Sequence, residues 1–158
     1  MPNFQPTMKK HLALFLILLA PCLSSGQKLY PFLFKNQQSG FVNEQLQVKI
    51  KASYDFVSPL HDGIAAVQLK DAWGFIDATG KRITPLEYVD FNSWNEGLIP
   101  VQNREGRWGY LNYQGRVAIP FIFDEANTFR FGRAPASKNQ KYGMIDRSGK
   151  FVIASTSC

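Results

Sequence analysis

The stretch Trp73-Gly74-Phe75-Ile76-Asp77-Ala78-Thr79-Gly80-Lys81 returns as Trp108-Gly109-Tyr110-Leu111-Asn112-Tyr113-Gln114-Gly115-Arg116. It returns again as Tyr142-Gly143-Met144-Ile145-Asp146-Arg147-Ser148-Gly149-Lys150. Self-similarity at a period of about 35 residues implies small units, each unable to bury its apolar face alone, that share a core by stacking on their neighbours. A fainter copy precedes them: Gly40-Phe41-Val42-Asn43 stands one period before Gly74-Phe75-Ile76-Asp77, with Leu46 in place of the turn glycine.

Within each unit the pattern alternates on a two-residue period, as in half-buried strands. Ile64 to Leu69 and Trp73 to Asp77 read as two strands, and Lys81 to Thr84 as a third ended by Pro85. Asp77-Ala78-Thr79-Gly80 has the chemistry of a three-residue hairpin loop. The carboxylate caps the backbone of a type I turn, and glycine takes the left-handed position. Asn112 with Gly115 and Asp146 with Gly149 repeat that arrangement. Pro100 and Pro135 lack an amide donor, so their strand is expected at an edge or with its amides facing outward there. The expected fold is all-β. Three-stranded antiparallel units of about 35 residues follow one another in a short solenoid-like array, since a closed propeller needs about 4–8 four-stranded blades.

The N-terminus reads differently. Met8-Lys9-Lys10 precedes the apolar run Leu12–Ala20, then Ser24-Ser25-Gly26, which is the order of a secretory signal peptide. Met8 is an alternative start to Met1. The leader carries two lysines and no acid, so its removal after Gly26 lowers the net charge from +6 to +4. Pro21-Cys22 offers a rival reading as a lipidation site, the one route by which a membrane would become a partner. The expected organisation is a signal peptide over 1–26, then an N-terminal cap with a degenerate repeat over 27–62. Repeats over 63–96, 97–131 and 132–158 complete it.

The residues Gly63-x-Ala65-x-Val67, Trp73-Gly74-Phe75-Ile76-Asp77-x-x-Gly80-Lys81-x-Ile83-x-Pro85 and Tyr88 resemble the bacterial WG-repeat family. Departures are Tyr142 for Trp, Arg116 for Lys and Asn112 for Asp. The resemblance implies an all-β repeat module, often exported, with no general catalytic activity and no functional residues to transfer.

The column Trp73, Trp108, Tyr142 is expected to form the core between repeats, against a rival reading as an aromatic platform for sugar or choline-like ligands. The column Asp77, Asn112, Asp146 suits turn formation better than calcium, which takes six to eight oxygens. Lys81, Arg116 and Lys150 form a basic column that would line a ligand surface with the loop rings Trp94 and Phe129. A modest charge and no reader motif exclude nucleic acid. His61 beside Asp62, and Glu87, Glu96, Asp124 and Glu125 in the connections, set no pair apart as an acid–base couple. The sequence therefore calls for no enzyme, no metal and no cofactor. It points to a secreted or periplasmic module, or a lipid-anchored envelope protein, that binds a protein partner. The alternative is a carbohydrate or envelope polymer. Exposed Trp94 and Phe129 would favour sugar, and buried ones protein.

Overall fold

The computed structural model of the chain describes residues 28–154, so the leader, Cys22 and Cys158 lie outside the described residues. The fold is all-β. Strands β1 (Tyr30–Leu33), β2 (Ser39–Val42) and β3 (Val48–Tyr54) form a first antiparallel sheet. A second contains β4 (Phe56–Val57), β5 (Ile64–Leu69) and β6 (Ala72–Asp77). A third contains β7 (Asp90–Phe91), β8 (Leu98–Gln102), β9 (Trp108–Asn112) and β10 (Val117–Phe123). The fourth contains β11 (Glu125–Ala126), β12 (Ala134–Lys138), β13 (Lys141–Ile145) and β14 (Phe151–Ala154). The segment read as a cap thus contains a three-stranded sheet built like the others.

Each unit has a long central hairpin, a third strand that returns along it and, in the last three, a two-residue strand on the far side. In the second unit the third strand is irregular. Ile76 bridges Arg82, Trp73 bridges Tyr88, and the Thr84 hydroxyl accepts the Phe75 amide at 3.0 Å. Close backbone approach explains the glycine at the second position of each unit's repeated stretch. A methyl group on Gly40, Gly74, Gly109 or Gly143 would come 2.2–2.9 Å from the carbonyl oxygen of Ile50, Pro85, Ile119 or Ile153, which cross at those points.

Of the two arrangements expected for the prolines, an edge strand is not the one found; their donor side faces away from any ladder. β8 and β12 are inner strands, each flanked by a two-residue strand. Pro100 and Pro135 sit just past that short ladder, where their carbonyls accept the amides of Asn92 and Asn127 at 3.0 Å and no donor is needed. The second unit has Ala66 here, and the Ser58 hydroxyl accepts its amide at 2.9 Å. A short flanking strand lets proline sit inside a sheet.

Three apolar clusters hold the units together, each shared by two consecutive sheets. Phe41, Ile50 and Tyr54 pack with Val57, Val67 and Ile76. Phe75 and Tyr88 pack with Trp94, Ile99 and Leu111. Tyr110, Ile119 and Phe123 pack with Phe129, Ala136 and Ile145. Among the described residues no cluster joins the first sheet to the last, so the array is open, and its stability is a sum of neighbour interfaces.

The hairpin turn is the second half of each interface. Gly80 of the second unit lies on Ile50 of the first, Gly115 on Ile83, and Gly149 on Ile119. Their φ angles of 76–87° already favour glycine. In addition, an added methyl would approach the preceding unit within 3.0, 2.4 and 2.6 Å respectively. Leu46 holds this turn position in the first unit, also at positive φ, and is 72% exposed.

The ring column is not uniform. Trp108 is buried, Trp73 is half-buried between Phe56 and Phe91, and Tyr142 is 56% exposed. The rings two residues on carry the core instead: Phe41, Phe75 and Tyr110 are wholly buried. Tyr142 differs because no strand among the described residues covers it as β7 with Phe91 covers Trp73. Two melting experiments follow. Trp108→Ala should destabilise by about 3–5 kcal/mol, whereas Tyr142→Ala should change stability by about 0.5 kcal/mol or less. Gly115→Ala should lower the melting temperature more than Gly132→Ala, because both have positive φ but only Gly115 has a neighbour in the way.

Candidate binding surfaces

The surface is built from turns. In each unit one Asx side chain organises the hairpin loop. Asp77 Oδ1 accepts the amides of Thr79 and Lys81 at 2.8 and 3.0 Å and the Thr79 hydroxyl at 2.6 Å. Asn112 and Asp146 accept the equivalent amides, and Asn43 does the same in the first unit. Burial works to raise the Asp77 pKa, but the Thr79 and Lys81 donors outweigh it and hold the carboxyl below its ordinary value. The Ser148 hydroxyl and the loop amides lower that of Asp146. These acceptors are filled by the turn itself. Among the described residues no group of three or more acidic, His or Cys side chains is placed to hold a metal ion.

Lys81, Arg116 and Lys150 follow the turn glycines at equivalent positions, all exposed and none in an ion pair among the described residues. The loop rings expected beside them are elsewhere. Trp94 is 6% exposed and Phe129 wholly buried, so neither presents an open ring face, and Trp94 shows only its edge to a cleft of about 370 Å³ lined also by Ser58, Pro59, His61, Phe91 and Ser93. Trp94 meets Phe75 edge-on at 5.7 Å and donates its indole N–H to the His61 carbonyl, and Phe129 packs on Tyr110 at 5.0 Å. The loops are also tied across the period: Asn92 and Asn95 side chains donate to the carbonyls of Ala126 and Phe129, and Thr128 to that of Ser93. A ring at this place plugs the joint between two units.

What remains open is shallow. A cleft of about 300 Å³ lies between the Asn103–Glu105 loop and Tyr88, Val117 and Phe121. The equivalent places in the first and last units hold clefts lined by Phe34, Lys35 and Lys51, and by Lys138, Tyr142 and Phe151.

A family model described as WG containing repeat matches residues 40–71, 73–106 and 108–142. The chain belongs to the WG containing repeat family. Each match starts at the strand bearing the Trp-Gly pair or its counterpart and runs into the next sheet, so the family's unit straddles the joint described above. A comparison with curated proteins gave no match.

In these WG repeats most of the acids noted in the sequence are structural ties, while Glu87 lines the cleft beside Tyr88. Asp124 pairs with Arg107 and accepts the Gln140 amide, and Glu125 accepts the Tyr142 hydroxyl at 3.1 Å. Glu96 accepts the Gly132 amide at 3.1 Å and meets Arg147 at 3.4 Å. His61 is exposed, 3.7 Å from Asp62, and Asp62 accepts the Tyr113 hydroxyl at 2.8 Å. Burial, then that bond and the Asp62 charge, push Tyr113 up to about 12, so it stays a donor at neutral pH. Sequence reasoning passed over Phe131, which is 98% exposed. Its signal was legible: it occupies the place of the acids Asp62 and Glu96 in the earlier units.

The lowered pKa values of Asp77 and Asp146 give a sign. Their ionised forms are favoured by folding, so this stabilisation is complete above the unfolded carboxyl value of about 3.9 and is lost as pH falls through the lower folded values. The Asp77→Asn, Asp146→Asn double variant should lose less melting temperature between about pH 5 and pH 2 than the parent, because an amide oxygen accepts at every pH.

Proposed function

We propose that the protein is a non-catalytic binding module, exported to the cell envelope, that recognises a protein partner. The observation carrying this is the burial of Trp94 and Phe129: the two loop rings expected to stack on a sugar are consumed in joining the repeats. The signal-type leader supports export. The use of Glu96, Asp124 and Asp62 as ties between units supports a role without acid–base chemistry. Repeat arrays bind through extended surfaces assembled from several units, and protein partners suit such surfaces. Co-sedimentation of the purified protein with insoluble envelope polysaccharide, at low and high salt, tests the reading. No pelleting at high salt is expected. Salt-resistant pelleting would replace it with carbohydrate binding through ring stacking.

A further inference from the structure

Each joint in the array is a seat and a turn. In the second unit the seat consists of Asp62 and Ile83, and the turn of the third unit fills it: Tyr113 donates to Asp62 at 2.8 Å, and Gly115 lies on Ile83. In the third unit the seat is Glu96 and Ile119, filled by Arg147 and Gly149 of the fourth. These two joints share an acidic seat that receives a donor and a glycine, while the first joint shows the glycine contact alone, Gly80 on Ile50.

The fourth unit carries the same seat with its chemistry reversed. Ile153 stands where Ile119 stands, paired with Met144 as Ile119 is with Tyr110, but it is 64% exposed where Ile119 is buried. Phe131 stands where Glu96 stands and is 98% exposed. It sits at φ 53°, beside Gly132 at 71°, at the tip of a two-residue type I′ turn. For a bulky side chain that conformation is an outlier. Arg130 and Arg133 face each other across this turn, both exposed and in no ion pair among the described residues, where the earlier turns pair His61 with Ile64 and Asn95 with Leu98. Like charges placed opposite one another disfavour a hairpin, and so does its strained ring. Local choices that conflict with folding collect at functional sites.

We propose that Phe131, Arg130, Arg133 and Ile153 form a docking seat for a glycine-bearing β-turn of an acidic partner protein. This rests on the reading of the protein as a protein-binding module and names the surface. The charge reversal sets the partner's chemistry: where the interior seats supply the carboxylate, this one supplies cations and an apolar ring, so the incoming turn brings the carboxylate. A second copy of the chain does not fit. The turn its first unit would offer ends in Leu46, and side-chain atoms at this position collide with the seat isoleucine, as the 2.4–3.0 Å approaches at Gly80, Gly115 and Gly149 show.

The probe is a head-to-tail cyclised hairpin peptide, fluorescently labelled, whose free turn reads Asn-Glu-Glu-Gly, titrated into the purified protein. Binding is expected, weakened about tenfold or more by Phe131→Ala and by Arg133→Glu, on the scale of a central anchor. It should weaken similarly when the turn glycine of the peptide is replaced by leucine, and with rising salt. Phe131→Ala should melt with the parent, since the ring is exposed, so lost binding is not lost folding. Absence of binding, equal binding of the glycine and leucine peptides, or indifference to Phe131 overturns the proposal. So does sedimentation with anionic phosphatidylglycerol vesicles that depends on Phe131, which would make the tip a membrane anchor. Failure here leaves the protein-partner reading standing, because that reading falls only to salt-resistant polysaccharide binding.

Discussion

Everything in this array depends on how closely a hairpin turn approaches the isoleucine of the unit before it. Three turn glycines rest on Ile50, Ile83 and Ile119 with no room for a methyl group. That contact sets the spacing between sheets, and the spacing decides which rings are buried. Phe75, with Tyr88, Phe91 and Trp94 around it at 5.7–6.5 Å, fills a joint whose width the glycine contact defines. Dispersion contacts fall away steeply with a small gap, so a larger turn residue would loosen the whole ring cluster.

The same contact gives the array a direction. A unit offers a seat on one side and a turn on the other, and the two are different surfaces. Interior units satisfy both. The first described unit has Leu46 in place of the glycine, and the fourth has Phe131 in place of the seat acid. These two units depart from the interior ones in different ways: a side chain stands at the turn of the first, and an exposed ring at the acid's place in the fourth.

Polar ties follow the period as faithfully as the core. Asp62 to Tyr113 and Glu96 to Arg147 are one contact made twice with different chemistry. Trp94, Asn92, Asn95 and Thr128 bind carbonyls about one period away in the neighbouring loop. The long connections therefore form a ladder that commits their carbonyls to the neighbouring unit.

The sequence alone determined what is local. The period is written in Trp73, Trp108 and Tyr142. The turn chemistry is written in Asp77 with Gly80 and its copies, because a side-chain acceptor and a left-handed glycine act within five residues. The all-β class and the family follow from the same short-range signals. What is decided between units was not legible there. Trp94 and Phe129 look like exposed loop rings until the neighbouring sheet closes over them. Tyr142 looks like Trp108 until the absence of a following strand among the described residues leaves it exposed. Pro100 and Pro135 allow an edge strand or outward-facing amide positions, and a two-residue strand that stops short of them decides for the second. The turn glycines show a φ requirement in sequence, but their contact with the preceding isoleucine exists only in the stacked array. Burial is a property of the joint, and a joint is made by two units about 35 residues apart, so tertiary structure alone assigns it.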